Sequence, residues 1–515
     1  MKKEELDQII SETDEKILDR AENVKGGGGI RILRVIAVAA LFAVLLAAFA
    51  LPMMNRPGPI LPSDTAAEPK TPDTAAGPET PVSELPIDNS TDEAVTVAEY
   101  IGTYGKFARY EPVYPTQIKI VSNNVYDAAA YDAYREAQAN RRGYYGAGGN
   151  LGSFFNKIIK AVKAEADGKG QKNAVLSPLN IYMGLALIGE ISEGETQKQI
   201  FDVLNVKSLE ELRVKTQKIW RAHYCDDGTY KSLLANSVWM DDCEGLKFNT
   251  DKIETLQKEY YASAFSGDLQ SDDFANAFRT WLNDQTGGRL KDMIDGIKID
   301  PLTIMLIAST VDFAARWDCG FNTEPGYFKC DGVRRSCTFL SSVDRHNDKV
   351  YFGDGYTMYC QELENSAGKM WFILPDENKT VDEIFEKIDF CNITNRTKRR
   401  DFGKVTVKVP KFDISLQSDL KPALRSIGIT ACFESRGDFE PIIENSAAFI
   451  GKAVHGCGVK IDEKGIVGSA FTYFAILGAA EPPDDKYEFI ADRPFIFSVE
   501  SDDGLPLFTG VVNRP

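Results

Sequence analysis

The 515-residue chain lacks the motifs on which most enzyme chemistry is built. It has no Gly-x-Ser-x-Gly elbow, no His-Glu-x-x-His helix, no Gly-x-Gly-x-x-Gly turn and no phosphate-cradling glycine loop. Histidine is scarce. His223, His346 and His455 stand far apart, without the spacing that gathers zinc ligands, so neither a metal nor a cofactor is expected. The nine cysteines fall between Cys225 and Cys457 with no Cys-x-x-Cys pair, and their count is odd. That argues against a disulfide framework and for reduced, buried thiols. Positive charge is in deficit: 59 Lys and Arg face 76 Asp and Glu, a net charge of −17 and a pI near 4.9. Such a chain offers no basic face to nucleic acid or anionic lipid. The carboxylates are scattered, and none pair for acid–base work. Cys457 lies two residues from His455, on one face if the segment is a strand, but closeness in sequence does not make a dyad. These absences point to a binding or regulatory protein rather than an enzyme.

What is present divides the chain. Residues 1–30 are polar, with Leu6, Ile9, Ile10, Ile17 and Leu18 at helical spacing, and Gly26–Gly29 break the pattern. Val35–Met54 carries no charge. At a rise of about 1.5 Å per residue its length matches the roughly 30 Å hydrocarbon layer. Arg31 and Arg34 at its start predict a cytoplasmic N-terminus and a single pass over 31–54. Cleavage after Ala50 would instead release a secreted protein, but the polar leader is long for a signal peptide. Both readings put the remainder outside the cytoplasm. Residues 55–98, rich in Pro, Thr, Ala and acids, read as a disordered stalk. This anchor-plus-stalk layout suggests a bacterial surface protein. Residues 99–150 are rich in tyrosine, with a helix expected over Asp127–Arg141 that places Tyr131 and Tyr134 on one face against the main domain. From 151 to 515 helical patterns come first and strand-like runs dominate later, so the class is α+β. Ser177 and Pro178 suit the N-cap and first turn of one helix, and Gly287-Gly288 suits the end of another.

One stretch fits no ordinary element. Between Lys464 and Glu481 there is no charge and no proline, in a run too long for a typical buried strand and too short and glycine-broken for a confident membrane span. The ordered segments NAVLSPLNI, SEGETQKQI, ANSVW, WLNDQTGGRL, STVDFAARWDCGF, VPKFDI, DLKPALRSIGI, AVHGCGVKIDEKG, FIADRPFIFSVE and LFTGVVNRP resemble the serpin family across 151–515. The resemblance implies helices packed around a large mixed central β-sheet, with the neutral stretch as an exposed reactive loop. A serine protease cleaves such a loop, which then inserts into the central sheet and traps the protease as an acyl-enzyme.

Further residues follow from the resemblance. Hinge positions are Glu463, Gly465, Ile466, Gly468, Ala470 and Thr472. The usual hinge-to-bond distance puts the reactive bond at Ala479-Ala480, whose small side chains suit an elastase-like or subtilisin-like extracellular protease. Ser177, Asn180, Ser309 and His455 match a polar cluster beneath the sheet opening, the shutter, with the amide and hydroxyl of Asn180 and Ser309 exchanged relative to the family. Trp317 matches the breach, where the loop enters. Ile466, Gly468 and Phe471 depart from the small or hydroxylated residues usual in the hinge, which would slow insertion. The alternative is a non-inhibitory serpin-fold binding protein whose loop is only a substrate or ligand. A monomer is expected.

Overall fold

The computed structural model describes residues 104–119, 128–434, 437–466 and 485–515. The apolar run Val35–Met54, the tail and the stalk lie outside them. Among the described residues no helix is long and apolar enough to cross a membrane.

The strand-like runs fold into two sheets, and helices pack on them, giving the expected α+β class with a large mixed sheet. The sheet that concerns function runs in the order Ala108–Tyr110, Ala262–Gly267, Lys231–Asp241, Met305–Arg316, Gly465–Ile466, Val454–Ile461 and Phe412–Asp419, with Cys225–Asp226 paired onto Lys231–Asp241. Only the Lys231–Asp241 and Ala262–Gly267 pair is parallel; the other neighbours are antiparallel. The second, nine-stranded sheet is built around the long strand Val333–Gly353 and its partner Lys398–Pro410.

Both faces of the first sheet are covered. Behind it lies helix Pro178–Ile191, apolar on nearly every side and correspondingly buried. Its N-cap is Ser177, whose Oγ accepts the Asn180 N–H at 3.3 Å, with Pro178 in the first turn as the sequence suggests. Glu190 on this helix is fully buried, and its carboxylate is answered by Arg213 through two bonds of 2.8 Å, by Lys252 at 2.6 Å and by the Tyr260 hydroxyl at 3.0 Å. A charge placed there without such partners would be strongly destabilising. On the outer face, helix Asp272–Gln285 seats Phe274, Phe278 and Trp281 against Trp239, which stacks on Phe265 at 4.0 Å. Gly287 and Gly288 follow with φ of 58° and 71° and turn the chain back over the sheet.

Part of the tyrosine-rich region belongs to this body. Ala108–Tyr110 extends the first sheet beside Ala262–Gly267. Tyr114 stacks in a group with Trp220, Tyr224 and Tyr261. The helix runs over Ala128–Arg142. Its Tyr134 hydroxyl and Gln138 amide donate to buried Asp227 at 3.2 and 3.1 Å, and Arg141 donates to the Ala222 carbonyl at 3.1 Å. Tyr131 is 55% exposed, so the two tyrosines share a helix face but not its burial.

Candidate functional site

Among the described residues the first sheet contains a gap. Met305–Arg316 and Val454–Ile461 are sheet neighbours only through the two residues Gly465–Ile466, which pair with Arg316 and Ala315 on one side and with Ile461 on the other. Below those two residues no described strand joins the two edges. Between and beneath them lies a cavity of about 930 Å³, bounded by the inner helix Pro178–Ile191, the outer helix Asp272–Gln285 and the two strand edges. A backbone edge without a partner is costly to bury and ready to pair, so the slot is shaped for one more strand.

The top of the slot is closed by a tight turn. Asp462 Oδ1 accepts the Lys464 and Gly465 N–H groups at 2.9 and 3.3 Å, and the Asp462 N–H donates to the Gly465 carbonyl at 3.0 Å. The carbonyls of the turn are taken up by the segment after Arg316. Trp317 donates Nε1–H to Asp462 O at 2.8 Å and its backbone N–H to Lys464 O at 3.0 Å, while Phe321 N–H reaches Glu463 O at 3.1 Å. Trp317 itself is buried and meets Phe321 edge to face. Glu463 pairs with Lys411 at 2.8 Å, and this bond holds its carboxyl below the ordinary range. Gly465 sits so close to the neighbouring strand that a β-carbon would collide with the Ala315 carbonyl oxygen. Ile466 is buried in the core. Gly465 and Ile466, read from the sequence as the start of the exposed stretch, are instead already paired in the sheet: the close approach that glycine permits and the apolar burial of Ile466 both favour that position. Gly468, Ala470, Thr472, Ala479 and Ala480, together with Phe471, lie outside the described residues.

The four shutter residues line the one cavity. His455 is buried, and its Nε2 accepts the Ser177 N–H at 3.0 Å. The ring nitrogen therefore holds no proton there, and burial lowers the His455 pKa to about 4. Ser177 Oγ is committed to the backbone of Asn180. Ser309 Oγ is buried without a partner. The expected exchange of amide and hydroxyl thus brings Asn180 and Ser309 to the same cavity, but it leaves the Ser309 hydroxyl unbonded.

The nucleophile–base reading gains nothing from the geometry. Burial pushes the Cys457 thiol far above its ordinary range, and among the described residues the bond to His455 Nε2 comes from the Ser177 backbone. His223 is held between the Ile219 carbonyl and Asp503 at the end of its helix, away from the slot. All nine cysteines are free. Among the described residues no group of three or more His, Cys, Asp or Glu could hold a metal ion.

Several residues that shape the site carry no sequence signal of their own. Asp462 reads as a surface acid, yet it ties the turn. Gly456 and Gly458 read as weak points in a strand. A β-carbon at Gly458 would crowd Leu290 at 3.2 Å, so this glycine makes room for it, while one at Gly456 would meet Leu290 and Met293 at an ordinary 3.8 Å. Alternating glycines within a strand are the signal that could have marked this close approach.

Residues 150–515 match the sequence model of the family described as Serpin (serine protease inhibitor). The chain belongs to the serpin family. Serpin-ZX of Arabidopsis thaliana is 26% identical over 364 residues, which cover 67% of this chain and 92% of that protein. Serpin B7 of Homo sapiens is 24% identical over 367 residues, covering 68% and 95%. Among solved structures, the thermophilic serpin tengpin in its native state matches with a TM-score of 0.62 at 21% identity, over 79% of this chain and 98% of that one. Thyroxine-binding globulin in complex with thyroxine matches with a TM-score of 0.59 at 19% identity, over 71% and 99%. Tengpin in its latent state scores 0.58 at 22% identity, over 70% and 96%. These likenesses establish the serpin fold, and the similar scores of native and latent forms do not choose between them. Among the described residues, the sheet has no strand between Met305–Arg316 and Val454–Ile461 below Ile466.

Proposed function

We propose that this serpin is a suicide inhibitor of extracellular serine proteases, cleaved near Ala479-Ala480 and completed by insertion of its reactive loop into the slot. The observation that carries this reading is the strand-wide slot, threaded at its top by Gly465 and Ile466. The pairs Ile466 with Ala315 and Ile466 with Ile461 fix a register. Stepped down one residue at a time, that register brings Thr472 level with Ser309 on one side and His455 on the other. Residues of even number then face inward with Ile466: Gly468, Ala470 and Thr472. Phe471 faces outward. The Thr472 hydroxyl would arrive beside Ser309 Oγ, a buried hydroxyl in the slot that has no partner among the described residues.

The neutral stretch suits this path. A charge carried into the sheet would be buried unpaired, and a proline would remove a ladder bond. About ten inserted residues, each gaining roughly 1 kcal/mol net of hydrogen bonding with apolar burial added, release on the order of 10–20 kcal/mol. That is comparable to the stability of a whole domain. Small residues at Ala479 and Ala480, and no Lys or Arg between Lys464 and Glu481, favour an elastase-like or subtilisin-like target over a trypsin-like one.

The uncharged run Val35–Met54 behind Arg31 and Arg34, followed by the polar segment 55–98, supports an inhibitor tethered to a bacterial membrane and held outside the cytoplasm. Incubation with pancreatic elastase or subtilisin tests the reading. An SDS-stable complex, with release of the peptide that follows the cut, is expected. Clipped chain without complex would favour the alternative, a serpin-fold binding protein whose loop is only a substrate or ligand.

A further inference from the structure

The inner helix Pro178–Ile191 is buried on nearly every side, yet Asn180, Gly184 and Ile188 are only partly covered. They stand four apart, one above another on a single face. All three line the cavity. This stripe faces open space along about 12 Å of helix axis. Gly184 marks that space most plainly. Glycine is a costly choice inside a helix, and here a β-carbon would meet nothing within 4 Å. Packing therefore does not demand the glycine, and its missing side chain leaves room in an interior that is otherwise filled. Phe313 and Phe508, both buried and with ring centres 6.1 Å apart, add apolar wall to the same cavity. Its volume of about 930 Å³ is that of a ligand site.

The cavity reaches the surface at its foot, the end away from the turn at Asp462–Gly465, where Met305–Arg316 and Val454–Ile461 begin. The lips there are apolar: Leu302 is 89% exposed, Phe449 55% and Val454 41%, and all three line the cavity. Lys298 and Lys452 stand on the same rim, both exposed. Among the described residues neither lysine makes an ion pair. The acid on the rim, Asp300, is engaged by the Leu302 N–H at 2.9 Å. In a chain of net charge −17, two lysines beside exposed apolar lips reverse the local sign. A long apolar space with a cationic mouth fits an unbranched chain that carries an anionic head. We infer that the cavity binds a long-chain fatty acid anion, with its carboxylate at Lys298 and Lys452 and its alkyl chain against the stripe formed by Asn180, Gly184 and Ile188. The site needs neither cleavage nor insertion of the loop.

The test uses the full-length chain in lipid vesicles and palmitate bearing a photoreactive diazirine at mid-chain, with labelled peptides mapped after irradiation. Labelling is expected within 178–191 and 305–316, and excess palmitate should displace it. The matching diazirine hexadecanol, which has the chain without the charge, should label the same peptides about tenfold more weakly. Reversing both rim charges, Lys298→Glu with Lys452→Glu, should weaken palmitate labelling about tenfold and leave the alcohol unchanged. Gly184→Leu, which extends a side chain into the open space, should abolish labelling by both probes without lowering the thermal midpoint of the unliganded chain. Ile188→Phe, on the same face, should also weaken both and covers the case in which Gly184→Leu does not fold. Label confined to residues 35–54, or wild-type labelling in both Gly184→Leu and Ile188→Phe, would place the chain outside the cavity and overturn the inference. Equal labelling by acid and alcohol, unmoved by the charge reversal, would overturn the anionic head and with it the proposed ligand.

Discussion

At the scale of single residues, His455 is the clearest case of chemistry set by position. The ring is buried, accepts a backbone N–H and is held neutral with a pKa near 4. An unfolded histidine takes up its proton near pH 6.5. Between those values the unfolded state binds the extra proton, so stability from this group is complete above about pH 6.5 and is lost as the pH falls toward 4. The expected loss is about 3 kcal/mol. Urea midpoints followed over this window should fall in the wild type and fall less in His455→Gln. Equal slopes would show that another group carries the effect. Gly465 makes a second residue-level case. Gly465→Ala should drive the hinge out of the sheet, because its β-carbon would meet the Ala315 carbonyl, at a cost of about 1–3 kcal/mol. Faster exchange of the residue 466 amide would report it. Protection like that of the wild type would contradict the packing argument.

Elements explain what the sequence could and could not disclose. The runs around Val238, Phe372 and Val407 are legible as strands because β-branched and aromatic residues cluster there, and each does lie in a strand. The cap at Ser177 and the stop at Gly287-Gly288 are legible because their backbone demands are local. The slot is not, since whether Met305–Arg316 pairs with Val454–Ile461 depends on strands far apart in the chain. Nor is the pairing of Arg289 with Asp312, two ordinary charges brought together by the reversal at Gly287 and Gly288. The four residues that the resemblance implies as a shutter line one cavity, and Ser309 Oγ has no hydrogen-bond partner among the described residues.

The element most exposed to test is the turn at Asp462–Gly465, braced by Trp317. Trp317→Phe keeps the ring packing but removes the donor to the Asp462 carbonyl. It should cost about 1–2 kcal/mol in unfolding free energy and lower hydrogen-exchange protection of residues 464–466. An unchanged unfolding curve would mean that the indole packs without bracing the turn.

For the whole molecule, the proposed mechanism requires that a chain whose described strands leave a slot below Ile466 gain stability when the neutral stretch enters it. Every further pair formed between Met305–Arg316 and Val454–Ile461 through an intervening strand replaces an unsatisfied edge with a ladder. The N-terminal strand Ala108–Tyr110 and the helix Ala128–Arg142 brace the far edge of the same sheet. The direct measurement is the thermal midpoint of the full-length chain before and after a single cut near Ala479. Insertion worth 10–20 kcal/mol predicts a rise on the order of 20 °C. A nicked chain that melts where the intact one does would contradict the account.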